Sequence, residues 1–212
     1  MARISKGILG GFSGTVGTVV GGTWKGISYM RSQAVRKNTT STAKQKAQQQ
    51  RFSVAARFIQ LMPNLLMVTF KNYAVKMTGV NSALGYTLRN AVTGTYPNAA
   101  IDYTKVLMSR GDIPNATSPA AAAAGSGKLH FSWTDNSGIG KAMATDSSIL
   151  VAFCPATNQC IYNTSGAARS TGTATLDVAV LTGKQVHTYI GFISQDGQDI
   201  ASSIYTGLIT VS

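Results

Sequence analysis

No Asp or Glu occurs before Asp102, so the first 101 residues, which hold thirteen Lys and Arg, have no carboxylate side chain to pair with. The remaining residues carry six basic and seven acidic side chains, and the two parts have formal charges of +13 and −1, summing to +12. The first part must meet an external negative charge or tolerate its own repulsion, whereas the second has no such bias. A chain of 212 residues can bury one substantial core or two modest ones. Only 12% of it is charged, so Ser, Thr, Asn, Gln and Gly must meet solvent, or other copies must cover part of the surface.

Glycine dominates the opening. Gly7, Gly10, Gly11, Gly14, Gly17, Gly21 and Gly22 interrupt the uncharged run before Trp24, which breaks any compact apolar segment and argues against both a cleaved signal and a membrane span. The β-branched residues from Ser13 to Val20 and the arm Thr23–Arg31 flank Gly21-Gly22, a pattern that predicts a hairpin turning at the glycine pair. In the second arm Lys25, Ile27, Tyr29 and Arg31 alternate with Trp24, Gly26, Ser28 and Met30, so neither face is cleanly interior. Val16, Val19, Trp24, Ile27 and Tyr29 are the candidate assembly contacts. A phosphate-binding loop is excluded by spacing, since no Gly-x-x-x-x-Gly-Lys-Ser/Thr occurs.

Apolar residues at steps of three and four predict an amphipathic helix from about Thr42 to Leu61, a break at Pro63, a second helix over 64–76, and a third over 82–92. The connector and first helix supply the candidate polyanion contacts Arg31, Arg36, Lys37, Lys44, Lys46, Arg51 and Arg57. No zinc-finger spacing or paired aromatic strand motif accompanies them, so charge alone supports nucleic acid. An acidic protein fits the same charges. A membrane surface ranks below both, because the helix carries no Trp.

Residues 114–127, with Pro119, five alanines and Gly125-Ser-Gly127, read as a linker. Beyond them, short alternating segments near 128–133, 149–153, 160–162, 173–180, 185–192 and 203–211 predict an antiparallel β-sandwich of immunoglobulin or fibronectin type III style. The expected organisation is therefore α+β: a basic hairpin and helical domain over 1–113, the linker, and a sandwich over 128–212.

The segments Gly7–Arg31, Ile101–Gly111, Ala168-Arg169-Ser170 and Ser203–Gly207 resemble landmarks of an uncharacterised domain family from Bacteroidota, with a Gly-rich opening and an immunoglobulin-like end. The resemblance implies no activity and no site residue. A bacterial origin would make the sequons at Asn38, Asn115 and Asn163 chance matches; elsewhere they would be glycosylation candidates.

No catalytic constellation declares itself. His130 and His187 lie in separate predicted strands, without an ordered Ser/Asp partner. Asp135, Asp146, Asp196 and Asp199 sit beside turn residues and show no calcium-loop spacing. Cys154 and Cys160 flank a predicted turn, which makes a disulfide conceivable, although free thiols are the first expectation and two thiols make a poor metal site. No metal and no cofactor are expected. The reading is a non-enzymatic structural or assembly subunit, a homo-oligomer of a phage-like or extracellular particle that packs through its basic half. The alternatives are a nucleic-acid-associated protein using the basic helices and an adhesin or carbohydrate-binding module.

Overall fold

The computed structural model describes residues 3–4, 7, 10–35 and 40–212. They form two compact units, residues 1–41 and 42–212.

The first unit is a four-stranded antiparallel meander: β1 (Arg3–Ile4), β2 (Phe12–Val16), β3 (Val19–Trp24) and β4 (Ile27–Ser32), in that spatial order. Two tight turns set its register. Gly17 opens the β2–β3 turn with φ +57°, and Lys25-Gly26 forms the β3–β4 turn with φ of 49° and 84°, the positive pair that a primed turn requires. The predicted hairpin turn at Gly21-Gly22 is corrected, because both glycines lie inside β3. They are there for close approach: a Cβ on Gly21 would stand 2.3 Å from the Phe12 carbonyl oxygen, and one on Gly22 would stand 3.1 Å from the Tyr29 hydroxyl.

The second unit has three layers. One antiparallel sheet runs β10 (Gln159–Asn163), β9 (Ser147–Cys154), β12 (Gln185–Ile193), β13 (Ile204–Thr210). A second runs β11 (Thr173–Asp177), β8 (Lys128–Thr134), β7 (Thr117–Gly125). Chain order and sheet membership together match a fibronectin type III sandwich, with Leu129, Phe131, Trp133, Leu150, Ala152, Val186, Ile190 and Phe192 closing the space between the sheets.

The outer face of the larger sheet is also buried. Ile149, Val151, Phe153 and Tyr189 join Phe58, Ile59, Met62, Leu65, Leu66 and Phe70 in a second core. Those helical residues come from α1 (Ala43–Ile59) and from α2 (Pro63–Thr69) with its flanking residues; α3 (Gly79–Asn90) adds Ala83. β9 thus carries apolar side chains on both faces, which explains its unbroken Ile-Leu-Val-Ala-Phe run. Thr42 caps α1 by accepting from the Gln45 N–H at 3.3 Å, while Gln45 Oε1 accepts from the Thr42 N–H at 2.8 Å. Pro63 opens α2, as the break at that position predicts. Helix α2 ends earlier than expected, at Thr69, whose hydroxyl donates to the Leu65 and Met108 carbonyls. Helix α3 starts earlier, because Thr78 caps it through the Asn81 N–H. A short pair, β5 (Val92–Thr93) with β6 (Ala100–Ile101), follows α3.

The predicted linker is corrected as well. Its alanine run is β7, paired with β8 from Ala120↔Ser132 to Gly125↔Lys128. Pro119, which lacks an N–H, sits at the register shift between Thr117 and Ala120, where an edge strand tolerates it. Because the helices complete the outer core of the larger sheet, the compact second unit begins at Thr42, well before residue 114.

Candidate interaction surface

Among the described residues of the meander, Gly21 alone is buried. The pairings Gly14↔Gly21, Gly21↔Met30, Gly22↔Tyr29 and Trp24↔Ile27 sort its side chains between two faces. One face carries Phe12, Val16, Val19 and Met30 among Gly, Ser and Thr, with no charge. Val16 is 56% and Met30 70% exposed. Val19 and Met30 also line a recess that continues along Gln33–Val35.

The other face carries Val20, Trp24, Ile27, Tyr29 and Arg31. Arg3, opposite Ser13, falls on the same side by alternation. Trp24 is 64% and Tyr29 46% exposed, and Lys25 Nζ stands 4.9 Å from the Trp24 ring centroid. The five candidate contacts therefore divide: Val16 and Val19 belong to the uncharged face, Trp24, Ile27 and Tyr29 to the basic aromatic one. The expected alternation had placed Trp24 opposite Tyr29. The Lys25-Gly26 turn reverses this, because it starts a new strand in which Ile27 pairs back onto Trp24. Phe12 and Met30 were not singled out in the sequence; the Lys-Gly dipeptide was the available signal for the turn that brings Met30 onto this face.

The described polyanion candidates belong to both units. Arg31 lies on the meander, and Arg36 and Lys37 fall outside the described residues. Lys44, Lys46 and Arg57 are exposed on α1. Arg51 has an internal role: its guanidinium donates to the carbonyls of Val92 at 3.0 Å and Leu88 at 3.5 Å, tying α1 to the end of α3.

Several ionisable groups of the second unit have local partners. Arg169 is fully buried, with Nε and Nη2 each 3.1 Å from Asp146 Oδ2 and Nη1 donating to Asn136 Oδ1 at 2.8 Å. Its carbonyl accepts from the Trp133 indole at 2.8 Å, and its guanidinium stacks 4.1 Å from the Phe192 ring centroid. This pin fastens the loops at one end of the sandwich. Asp135 and Asp196 accept hydrogen bonds from Ser137 and Ser194 respectively, which hold both carboxyls below their usual range. Asp199 pairs with Lys141 at 3.7 Å.

The histidines lie in different sheets. His130 is on β8; His187, on β12, stacks on Tyr103 with centroids 4.3 Å apart and shares a 3.0 Å hydrogen bond between Nδ1 and the Tyr205 hydroxyl. Burial lowers the His187 pKa below its ordinary value. The conceivable disulfide is corrected: both thiols are free. Register pairs Cys154 with Gln159 and Cys160 with Phe153, so the one-residue offset sends the two side chains to opposite faces. Cys154 enters the inter-sheet core. Cys160 lies 3.9 Å from the Met62 sulfur, where burial pushes its pKa up to about 12.

Three of the sequence landmarks serve this architecture. Arg169 is the pin just described. Segments 101–111 and 203–207 are tied together where Ser203 Oγ accepts from the Met108 N–H at 2.8 Å and the Ser109 N–H at 3.3 Å.

A family model matches residues 11–207. The chain belongs to a family of unknown function (DUF6266). That match spans the meander, the helices and nearly all of the sandwich. No curated protein matches the sequence. The chain is similar to a solved fibronectin type III domain of the human collagen alpha-1(XX) chain, at 13% identity and a TM-score of 0.33, covering 47% of this chain and 87% of that one. The assignment of the sandwich rests on its own strand order. Among the described residues no single helix is long and apolar enough to cross a membrane.

Proposed function

We propose that this protein is a non-enzymatic assembly subunit, whose sandwich and helices form a self-sufficient body and whose N-terminal meander packs against a second copy. One observation carries the reading: the meander is a single layer that leaves Val16, Val19 and Met30 open to solvent on an uncharged face. A lone sheet layer gains little from burial and needs a second layer for stability. In a chain of net charge +12, an uncharged apolar face is where two copies can meet without bringing like charges together. A repeating particle or extracellular assembly of bacterial origin is the setting that fits.

Light scattering of nuclease-treated full-length protein at high salt tests the reading. The wild type should be oligomeric, and Val19→Asp with Met30→Asp should yield a folded monomer, since the paired carboxylates would be buried at the contact. A wild-type monomer throughout the micromolar range, or an oligomer indifferent to both substitutions, would sink it.

A further inference from the structure

The opposite face of the meander has a different chemistry. Gly22 is paired with Tyr29, and the Tyr29 ring lies over the place a side chain would fill: a Cβ on Gly22 would be 3.1 to 3.4 Å from the hydroxyl, Cζ and Cε1. The ring therefore lies along the sheet with one π-face against backbone, and its 46% exposure belongs to the outward side. Trp24 is the diagonal neighbour of Tyr29 across β3 and β4, about 7–8 Å away by sheet geometry. Together with Ile27 these rings line a shallow recess of about 320 Å³. Positive charge surrounds them, with Lys25 beside Trp24, Arg31 next along β4, and Arg3 on the same face. Residues 1–41 contain six Lys and Arg and no carboxylate side chain.

We infer that this face is a stacking platform for single-stranded nucleic acid, with bases on Tyr29 and Trp24 and phosphates on Lys25, Arg31 and Arg3. Flat exposed aromatics supply sequence-tolerant stacking, and the surrounding cations neutralise the backbone. A duplex hides its base faces and cannot use the rings. The inference goes beyond the assembly reading and does not depend on it, because contact between copies uses the other side of the sheet.

The test is a fluorescence-anisotropy titration of labelled 15-nucleotide oligo(dT) and oligo(rU) with the full-length protein between 50 and 300 mM salt. Both strands should bind, with log K falling at a slope of about −2 against log salt for three phosphates. Trp24→Ala should weaken binding roughly 5- to 150-fold, and Trp24→Phe should restore most of it. Gly22→Val, which keeps every charge and fills the space beneath Tyr29, should weaken it several-fold. Tryptophan quenching by the oligonucleotide should vanish in Trp24→Ala, since the other indole, Trp133, is buried. Binding of one strand and not the other would assign the platform to DNA or to RNA. No binding at 50 mM salt, a duplex bound as tightly as a single strand, less than a twofold effect of Trp24→Ala, or stronger capture by phosphatidylserine-containing vesicles would each overturn the inference.

Discussion

Strands β3 and β12 are both paired on two sides, yet they have little else in common. β12 has apolar cores on both faces, formed by the second sheet and by the helices. β3 has one buried residue, a glycine, and its hydrogen bonds lie beneath solvent-facing side chains. Backbone pairing is thus similar in the two strands and side-chain burial is not. Since apolar burial supplies the main favourable term in folding, the body holds most of that term and the meander little of it. The glycines that shape the meander act in the same direction: they admit the Phe12 and Tyr29 rings but contribute no side chain of their own to a core.

The largest effect is expected from damage to the body at its buried pin. Arg169→Ala leaves Asp146 buried without its partner and should cost about 3–5 kcal/mol, read as a lower denaturation midpoint of the full chain in urea. A loss below about 1 kcal/mol would mean that the sandwich end is held by something else.

His187 gives a smaller, pH-dependent effect. Its folded pKa is lowered by burial, so the folded state binds fewer protons than the unfolded state near and below the ordinary value of about 6.5. Stability should be full above that value and should fall as pH drops through it towards the folded pKa. In His187→Gln the unfolding midpoint should change less between pH 7 and pH 5 than in the wild type. An identical pH profile in the two proteins would refute the assignment.

The smallest expected effect lies in the meander. Met30→Asp alone should shift the unfolding of the body by no more than about 0.5 kcal/mol, while weakening association between copies. If it destabilised the body as Arg169→Ala does, the contrast between a buried body and an exposed meander would fail.

Much of the body was legible in the sequence because local patterns carried it. Leu129, Phe131 and Trp133 alternate as a half-buried strand must, and apolar residues at steps of three and four mark α1. The alanine strand β7 was not legible: alanine favours no strand, and Pro119 argues for a break unless a bulged edge accommodates it. The meander misled for a related reason. Gly21-Gly22 has the local chemistry of a turn, and only the Phe12 and Tyr29 rings, brought from neighbouring strands, reveal why glycine is needed inside β3.

The charge division can be read from composition alone, and the break at Pro63 and the strand alternation of the sandwich can be read along the chain because each depends on neighbours a few residues apart. Packing between distant segments decides which side chains share a face, that Arg51 binds carbonyls of α3 and β5, that Arg169 meets Asp146, and that Cys154 and Cys160 part company. Those outcomes depend on register and on packing between distant segments, and a one-residue shift in register exchanges the two faces of a strand.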